Sequence, residues 1–365
     1  MNYHIDPRSS LPAYMQLYKS LVQDIISEVY PYGSRLPSKR TIAEETGVSV
    51  VTVEHALVLL SEEGYIETRQ RSGCFVIYHK SDFHVTPVLQ SGTFPEIRPK
   101  YSSAGDFPFS VFARTMRKVL ANYGNRIFIK SPNSGCDELR TEICSYLARN
   151  RGISVKPSQI IVGSGAEYLY GLIAQLFRNR SKFALEQPSY DKIRKVYEAM
   201  GIQCDMLSLA HDGISSKELD RTDATILHVT PFNSFPSGVT ASISKKYEYL
   251  RWAKQRDGFI IEDNYDSELT VSKKPEDSLF SITSDSNVVY VNTFSKTIAP
   301  SMRIGYMILP EKLLEDFRHR LGFYSCTVPV FEQLVLAELL RNGDFERHIN
   351  RVRRKKRKAL NDTVL

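Results

Sequence analysis

Lys296 stands just past the apolar run "VVYV" (288–291), in the stretch "VNTFSKTIAPSMRIGYMILP". A lysine is ordinarily a solvated surface residue, so its place at the end of a buried strand poses a chemical question. An amine facing a desolvated site favours the neutral form and can condense with an aldehyde. Thr293, Ser295 and Arg303 flank it with hydroxyls and a guanidinium, groups that hold a phosphate. Ser164, Gly165 and Ala166 sit between another apolar run and an amphipathic stretch, where a helix start would turn N–H groups toward an anion. Asp263 closes "GFIIED" and can keep a pyridine nitrogen protonated. Tyr190 in "EQPSY" offers a flat platform, and Tyr265 a hydroxyl for a ring oxygen.

Each residue also has a plainer reading. The Ser164–Ala166 triplet can be a turn, Asp263 a helix cap, Tyr190 core, and Arg303 the partner of an acidic neighbour. The elements that must position them are legible as five short apolar runs: "QIIVGSG" (159–165), "KFALEQP" (182–188), "ATILHVTP" (224–231), "GFIIEDNYD" (258–266) and "NVVYVNTFS" (287–295). Amphipathic stretches such as 166–178 and 244–256 separate them. Continuous apolarity predicts strands buried on both faces, hence an α/β architecture with a mostly parallel sheet. Ligands of such sheets bind beyond the carboxyl ends of the strands, where these residues fall. An aldehyde, a phosphate and a pyridine ring together describe pyridoxal 5′-phosphate.

The bulk properties exclude other classes. With 365 residues the chain has room for a small domain and a large one. No apolar run is long enough to span a bilayer, and the start "MNYHIDPRSS" has no signal-peptide core. The five scattered cysteines and eight histidines show no metal-ligand spacing, which fits a reducing, cytoplasmic setting without a metal. The net charge of +7 does not come from residues 1–78, which carry seven Lys/Arg against nine Asp/Glu. Much of it lies in "RHINRVRRKKRK" (347–358), which reads as a solvated helix face.

Residues 1–78 read as one helix-rich domain, 79–100 as a proline-bearing linker, and 101–365 as the large domain. In the first, Leu17, Leu21 and Ile25 mark one helix face. Ser38 caps a short helix ended by Gly47, Ser49 caps a longer one, and "YIETRQRSGCFVIY" (65–78) folds back as a strand pair with its turn at Ser72-Gly73. The order helix, "LPS-x-R", short helix, "GVS-x-x-TV", long helix, "EEGYI" and glycine hairpin resembles the GntR-type winged helix-turn-helix domain over nearly all of residues 10–77. That resemblance implies binding to double-stranded DNA. The first-turn side chains Ser49, Val50, Val51, Thr52 and His55 then meet base edges, and Arg40, Thr52, Arg69 and Arg71 are candidates for phosphate or groove contacts. Relatives often carry arginine where Val50 stands, and a basic residue near Glu54. Valine can touch a thymine methyl but cannot grip guanine, and Glu54 repels phosphate. Modest affinity per monomer, and hence a homodimer, is expected.

The large domain resembles fold-type I pyridoxal-phosphate-dependent aminotransferases. Specifically, the whole chain resembles the MocR-type subfamily of GntR regulators. The stretches that carry the resemblance are "GCDELRTEICSYLARNRGISVKPSQIIVGSGAE" (135–167), "EQPSYDKIRKVYEAMG" (186–201), "VTPFNSFPSGVTASISKKYEYLRWAKQRDGFIIEDNYDSE" (229–268) and "NTFSKTIAPSMRIGYMILP" (292–310). It implies that Lys296 is the internal-aldimine lysine, that Asp263 partners the pyridinium nitrogen and Tyr265 the phenolic oxygen, and that Tyr190 stacks on the ring. Ser164, Gly165, Ala166, Thr293, Ser295 and Arg303 would hold the phosphate. Asn233 stands where relatives have histidine and would keep a polar contact to the cofactor or its ligand. Lys130 stands where they have a tyrosine. The family continues well past the basic helix, so the C-terminal small domain, with its arginine for a substrate carboxylate, is expected to be missing. The expectation is a regulator that senses a small amine, an amino acid or the cofactor itself, with little or no transaminase turnover. The alternative is an aminotransferase with a vestigial winged helix.

Overall fold

The computed structural model describes residues 3, 5–6, 9, 11–70, 72–79, 107–180, 182–270, 277–283 and 287–363. They fall into two units, Met1–Pro99 and Lys100–Leu365. The expected linker, apart from His79, and the wing residue Arg71 lie outside the described residues.

The first unit runs α1 (Ala13–Ile26), α2 (Lys39–Thr46), α3 (Val50–Glu62), β1 (Ile66–Arg69) and β2 (Gly73–Val76). Leu17, Leu21 and Ile25 form the buried face of α1 and share a core with Ile42 of α2 and Val53, Ala56, Leu57 and Leu60 of α3. Ser38 accepts the Thr41 N–H and starts α2. Gly47, at φ 70°, ends it in the left-handed conformation that a side chain would disfavour. Ser49 then accepts the Thr52 N–H and starts α3. Strands β1 and β2 pair antiparallel from Ile66↔Val76 to Arg69↔Gly73, and Arg35 bridges to Phe75 as a further edge. Gly73 already belongs to β2, so the chain reverses one residue earlier than the Ser72-Gly73 turn expected.

The second unit runs α4 (Phe109–Tyr123), α5 (Asp137–Arg151), β3 (Ile160–Gly163), α6 (Ala166–Leu176), β4 (Lys182–Gln187), α7 (Asp191–Ala199), β5 (Gln203–Ala210), β6 (Gly213–Ile214), α8 (Ser216–Arg221), β7 (Ile226–Val229), α9 (Ile243–Gln255), β8 (Phe259–Asp263), α10 (Leu279–Ile282), β9 (Val288–Thr293), β10 (Gly305–Ile308), α11 (Glu311–Leu321), α12 (Val330–Arg341) and α13 (Asp344–Thr363). The strands make one eight-stranded sheet, β3-β10-β9-β8-β7-β4-β5-β6. The five adjacent strands from β9 to β5 run parallel, while β10 and β6 pair antiparallel with their neighbours. The sheet is therefore mostly parallel.

Alternation along the strands divides the core in two. Val289, Val291, Ile261 and Leu185 pack with α6, α7 and α11 on one face. Tyr290 packs with α5 and α12, and Val288, Ile260 and Leu227 pack with α9, on the other. All five runs expected as strands are strands; β5, β6 and β10 were not among them. β5 is partly exposed along most of its length, and β6 and β10 have two and four residues. Partial exposure hides β5 and two residues are too few to show β6, whereas the apolar run 306–309, which holds most of β10, is as detectable as β3 or β7 and was overlooked. The basic run lies on α13, which buries Phe345 and Ile349 and leaves 354–359 exposed. Among the described residues no helix is long and apolar enough to cross a membrane, and no cluster could hold a metal ion.

Candidate functional site

Strands β7, β8 and β9 end side by side, and helix α6 begins beside the β9–β10 connection. Between them lies a cavity of about 250 Å³. Seven of the eleven cofactor candidates line it: Ala166, Tyr190, Asp263, Tyr265, Thr293, Ser295 and Arg303. Glu167, Tyr170, Ile193, Thr230 and Phe235 complete the wall.

One end of the cavity is the start of α6. Gly165 is the N-cap, at φ 93°. A Cβ there would lie 2.9 Å from Arg303 Nη2, so only a glycine lets the guanidinium lie against the helix start. Ser164 donates its N–H to Thr327 Oγ1 at 3.1 Å. Arg303 pairs with Glu167, which also accepts from Lys192 Nζ at 2.7 Å. Lys192, and then Arg303, hold the Glu167 carboxyl below its usual range. Arg303 thus has an acidic neighbour and also faces the cavity. The hydroxyls of Thr293 and Ser295 shape the loop between β9 and β10. Thr293 Oγ1 is 3.1 Å from the Ile304 carbonyl and accepts the Ser295 N–H at 3.2 Å. Ser295 Oγ donates to the Met302 carbonyl at 2.9 Å.

The opposite wall carries Asp263, the last residue of β8 and 3% exposed. It is not a helix cap. Its Oδ2 accepts from Tyr170 Oη and lies 3.8 Å from His228 Nε2. Its Oδ1 is buried and has no hydrogen-bond partner. His228 Nδ1 is 2.8 Å from Tyr197 Oη, while its Nε2 is likewise unsatisfied. Burial, and then the Asp263 charge, push the Tyr170 and Tyr197 phenols far above their ordinary value. A carboxylate with one oxygen engaged and the other open fits a cationic N–H as partner. The residues present therefore fit a phosphorylated pyridine, with anion-binding groups at one end and Asp263 at the other.

Tyr190 is 39% exposed rather than core, and meets Phe235 edge-on with centroids 6.4 Å apart. Lys296 is not the desolvated amine expected: its side chain is 44% exposed and outside the cavity lining, with Nζ 3.0 Å from Asp266 Oδ1 and 4.5 Å from the Tyr265 ring centroid. Asn233 turns away from the cavity: its Nδ2 donates to Asp266 Oδ2 at 2.6 Å, and its carbonyl accepts from Tyr265 Oη at 3.1 Å. Burial, then Asp266 and Asp263, push the Tyr265 hydroxyl up to about 12.

Tyr170, His228, Glu167 and Asp266 escaped the sequence reading. His228 had a detectable signal, a polar residue inside the apolar run "ILHV". Tyr170 had a weaker one, standing four residues after Ala166 and so on the same helical face.

In the first unit, Arg40, Ser49 and His55 are exposed and Thr52 is half-buried. Arg69 pairs with Glu67 and stacks over Phe75, its Cζ 4.6 Å from the ring centroid. Glu54 pairs with Lys39 of α2, which holds its carboxyl below the ordinary range.

Comparison with known proteins places both units. The family described as bacterial regulatory proteins, gntR family, matches residues 13–76, and aminotransferase class I and II matches residues 102–363. The HTH-type transcriptional regulator YdeL of Bacillus subtilis is 35% identical over 97% of this chain and 79% of its own length. The probable rhizopine catabolism regulatory protein MocR of Rhizobium meliloti is 27% identical over 96% of this chain and 76% of its own. Among solved structures, an archaeal alanine:glyoxylate aminotransferase superposes with a TM-score of 0.61 at 22% identity, over 66% of this chain and 62% of that one. At that identity the likeness speaks for the fold alone. The chain belongs to the MocR-type transcriptional regulators, in which a GntR-family helix-turn-helix precedes a class I/II aminotransferase domain.

Proposed function

We propose that the large unit binds pyridoxal 5′-phosphate and through it senses a small amine, an amino acid or the supply of the cofactor. The winged helix would carry that signal to double-stranded DNA as a cytoplasmic homodimer. The division would be residues 1–78 for DNA, 79–100 as linker and 101–365 for sensing. The observation that carries this reading is the buried, unpartnered Oδ1 of Asp263 facing a cavity whose far end is a glycine-started helix beside Arg303.

The positions support a role for each residue. Ser164, Gly165 and Ala166 would present the start of α6 to the phosphate, with Thr293, Ser295 and Arg303 closing around it. Asp263, held by Tyr170, would keep the ring nitrogen protonated. Tyr190 would cover the ring face and Tyr265 would reach its phenolic oxygen. When bound, the cofactor supplies an aldehyde that joins reversibly to amines. Lys296 is the nearby amine, and Asp266 gives it a second resting place. Asn233, already bonded to Asp266, would hold that carboxylate when the lysine leaves. An amine that competes with Lys296 then favours one lysine position over the other. A ligand that binds two states unequally shifts their populations, and with them DNA affinity.

The test is the absorbance of the full chain mixed with pyridoxal 5′-phosphate. A new band above the free-aldehyde absorbance is expected, lost in Lys296→Ala and altered by the effector amine. A band that is absent, or unchanged in Lys296→Ala, overturns the reading.

A further inference from the structure

The first turn of α3 is where a recognition helix meets base edges, and its side chains differ in what they leave open. Ser49 Oγ accepts the Thr52 N–H at 3.1 Å and lies 2.8 Å from Thr52 Oγ1, so the two hydroxyls close on each other. Glu54 is paired with Lys39. His55 meets Tyr14 edge-on, centroids 5.9 Å apart. Val53 is in the core. Val50 and Val51 remain, the first two residues of the helix, 44% and 61% exposed. Neither side chain can hydrogen-bond to a phosphate or a base. A single exposed apolar side chain needs no explanation, but this pair occupies the turn that enters the groove. The apolar feature of the major groove is the C5-methyl of thymine.

We infer, building on the DNA-binding reading above, that Val50 and Val51 are specificity residues that read thymine methyl groups. The chain then selects sites by where A·T pairs place their methyls in the groove, and not by an arginine fork on guanine. The surrounding contacts favour this division of labour. Local pairing holds Ser49, Thr52 and Glu54 in place, while Arg40, exposed on α2, supplies a charge for the backbone.

The experiment selects duplexes from a random library with the full-length chain. It then replaces each thymine of a selected site by deoxyuridine, which removes the methyl alone. One or two positions in each half-site should lose about fourfold in affinity each, the ratio that follows from burying one methylene-sized group. The double variant Val50→Ala, Val51→Ala should bind thymine and uracil duplexes equally. Both side chains are exposed, so its melting should match the parent. The uracil series on the unaltered chain stands whether or not the variant folds. Equal binding of uracil at every position overturns the inference, as does a thymine preference that survives in the double variant. Enrichment of a sequence without methyl sensitivity sinks this inference and leaves DNA binding intact. Failure to enrich any sequence sinks both.

Discussion

The strand-end cavity of the large unit and the outer face of α3 both gather charged and hydroxyl side chains, yet they leave different things open. In the cavity the open group is polar: Asp263 Oδ1, buried and without a donor. On α3 Ser49, Thr52 and Glu54 are engaged locally, and the exposed apolar groups of the first turn are Val50 and Val51. Burial accounts for the difference. An unsatisfied polar atom inside a protein costs about 1–3 kcal/mol, so one that faces a cavity, as Asp263 Oδ1 does, is a candidate place for a partner. A surface carboxylate can turn to water, and pairing it with lysine gains at most about 1 kcal/mol. A buried site is thus recognised by its unmet polar atoms, and a surface site by what its own pairs leave uncovered.

The largest effect should come from closing the open atom. Asp263→Asn keeps the shape and removes the charge. Breaking one side of a buried charge pair costs about 3–5 kcal/mol, so cofactor affinity should fall on the order of 10²-fold or more. A titration followed by cofactor absorbance measures it. Unchanged affinity would mean that the open oxygen is not awaiting a cationic ring nitrogen, and the contrast between the two regions would collapse.

Glu186, a second buried carboxyl near a strand end, sharpens the comparison. It is buried at the end of β4 and accepts from Ser234 Oγ at 2.6 Å, so its partner is internal. Burial pushes its carboxyl up from 4.5 to about 8. The folded chain therefore keeps a proton there that the unfolded chain loses above its ordinary value. The site's contribution to stability is full below about pH 4.5 and declines as pH rises through about 8. Glu186→Gln imitates the protonated form. It should flatten thermal stability against pH across that window and stabilise the chain at about pH 9 by on the order of 1–3 kcal/mol. Parallel pH profiles for parent and variant would contradict this.

Much of this arrangement is legible in the amino-acid sequence. The five runs from 159 to 295 correspond to strands, and seven residues at or beyond strand ends share one cavity. Period and punctuation are local properties, and α2, α3 and the turn at Gly47 follow from them. Partnerships across the fold are not local. Nothing near Asp263 in sequence announces Tyr170, and nothing near Arg303 announces Glu167. Lys296 illustrates the limit: its type and place are informative, but its contact with Asp266 depends on how the chain after β8 returns past the β9–β10 loop. The two-residue strand β6 escapes because so few residues cannot display a period.

Gly165 tests whether the α6 end of the cavity is as particular as its Asp263 end. Gly165→Ala puts a Cβ at φ 93°, a strain of about 1–2 kcal/mol, and the clash falls on Arg303 Nη2. The flexible guanidinium can yield, so the fold should survive with a lower Tm. Cofactor affinity should drop about tenfold, the equivalent of about 1.4 kcal/mol. A lower Tm with unaltered affinity would make the glycine a purely structural choice.

The smallest effect belongs to the surface region, and it separates its two parts. Lys39 is held by Glu54, so one cation beside the recognition helix is kept from the phosphates. Glu54→Gln releases it. One added phosphate contact should steepen the salt dependence of DNA binding by about one unit and strengthen binding about fivefold at physiological salt. That gain comes from the backbone and should be the same for every sequence, so the preference for thymine over uracil should not move. Lys39→Ala in the Glu54→Gln background should cancel it. If Glu54→Gln instead shifts which sequences are bound, Glu54 reads bases directly, and the face of α3 is less purely apolar in its readout than its exposed valines suggest.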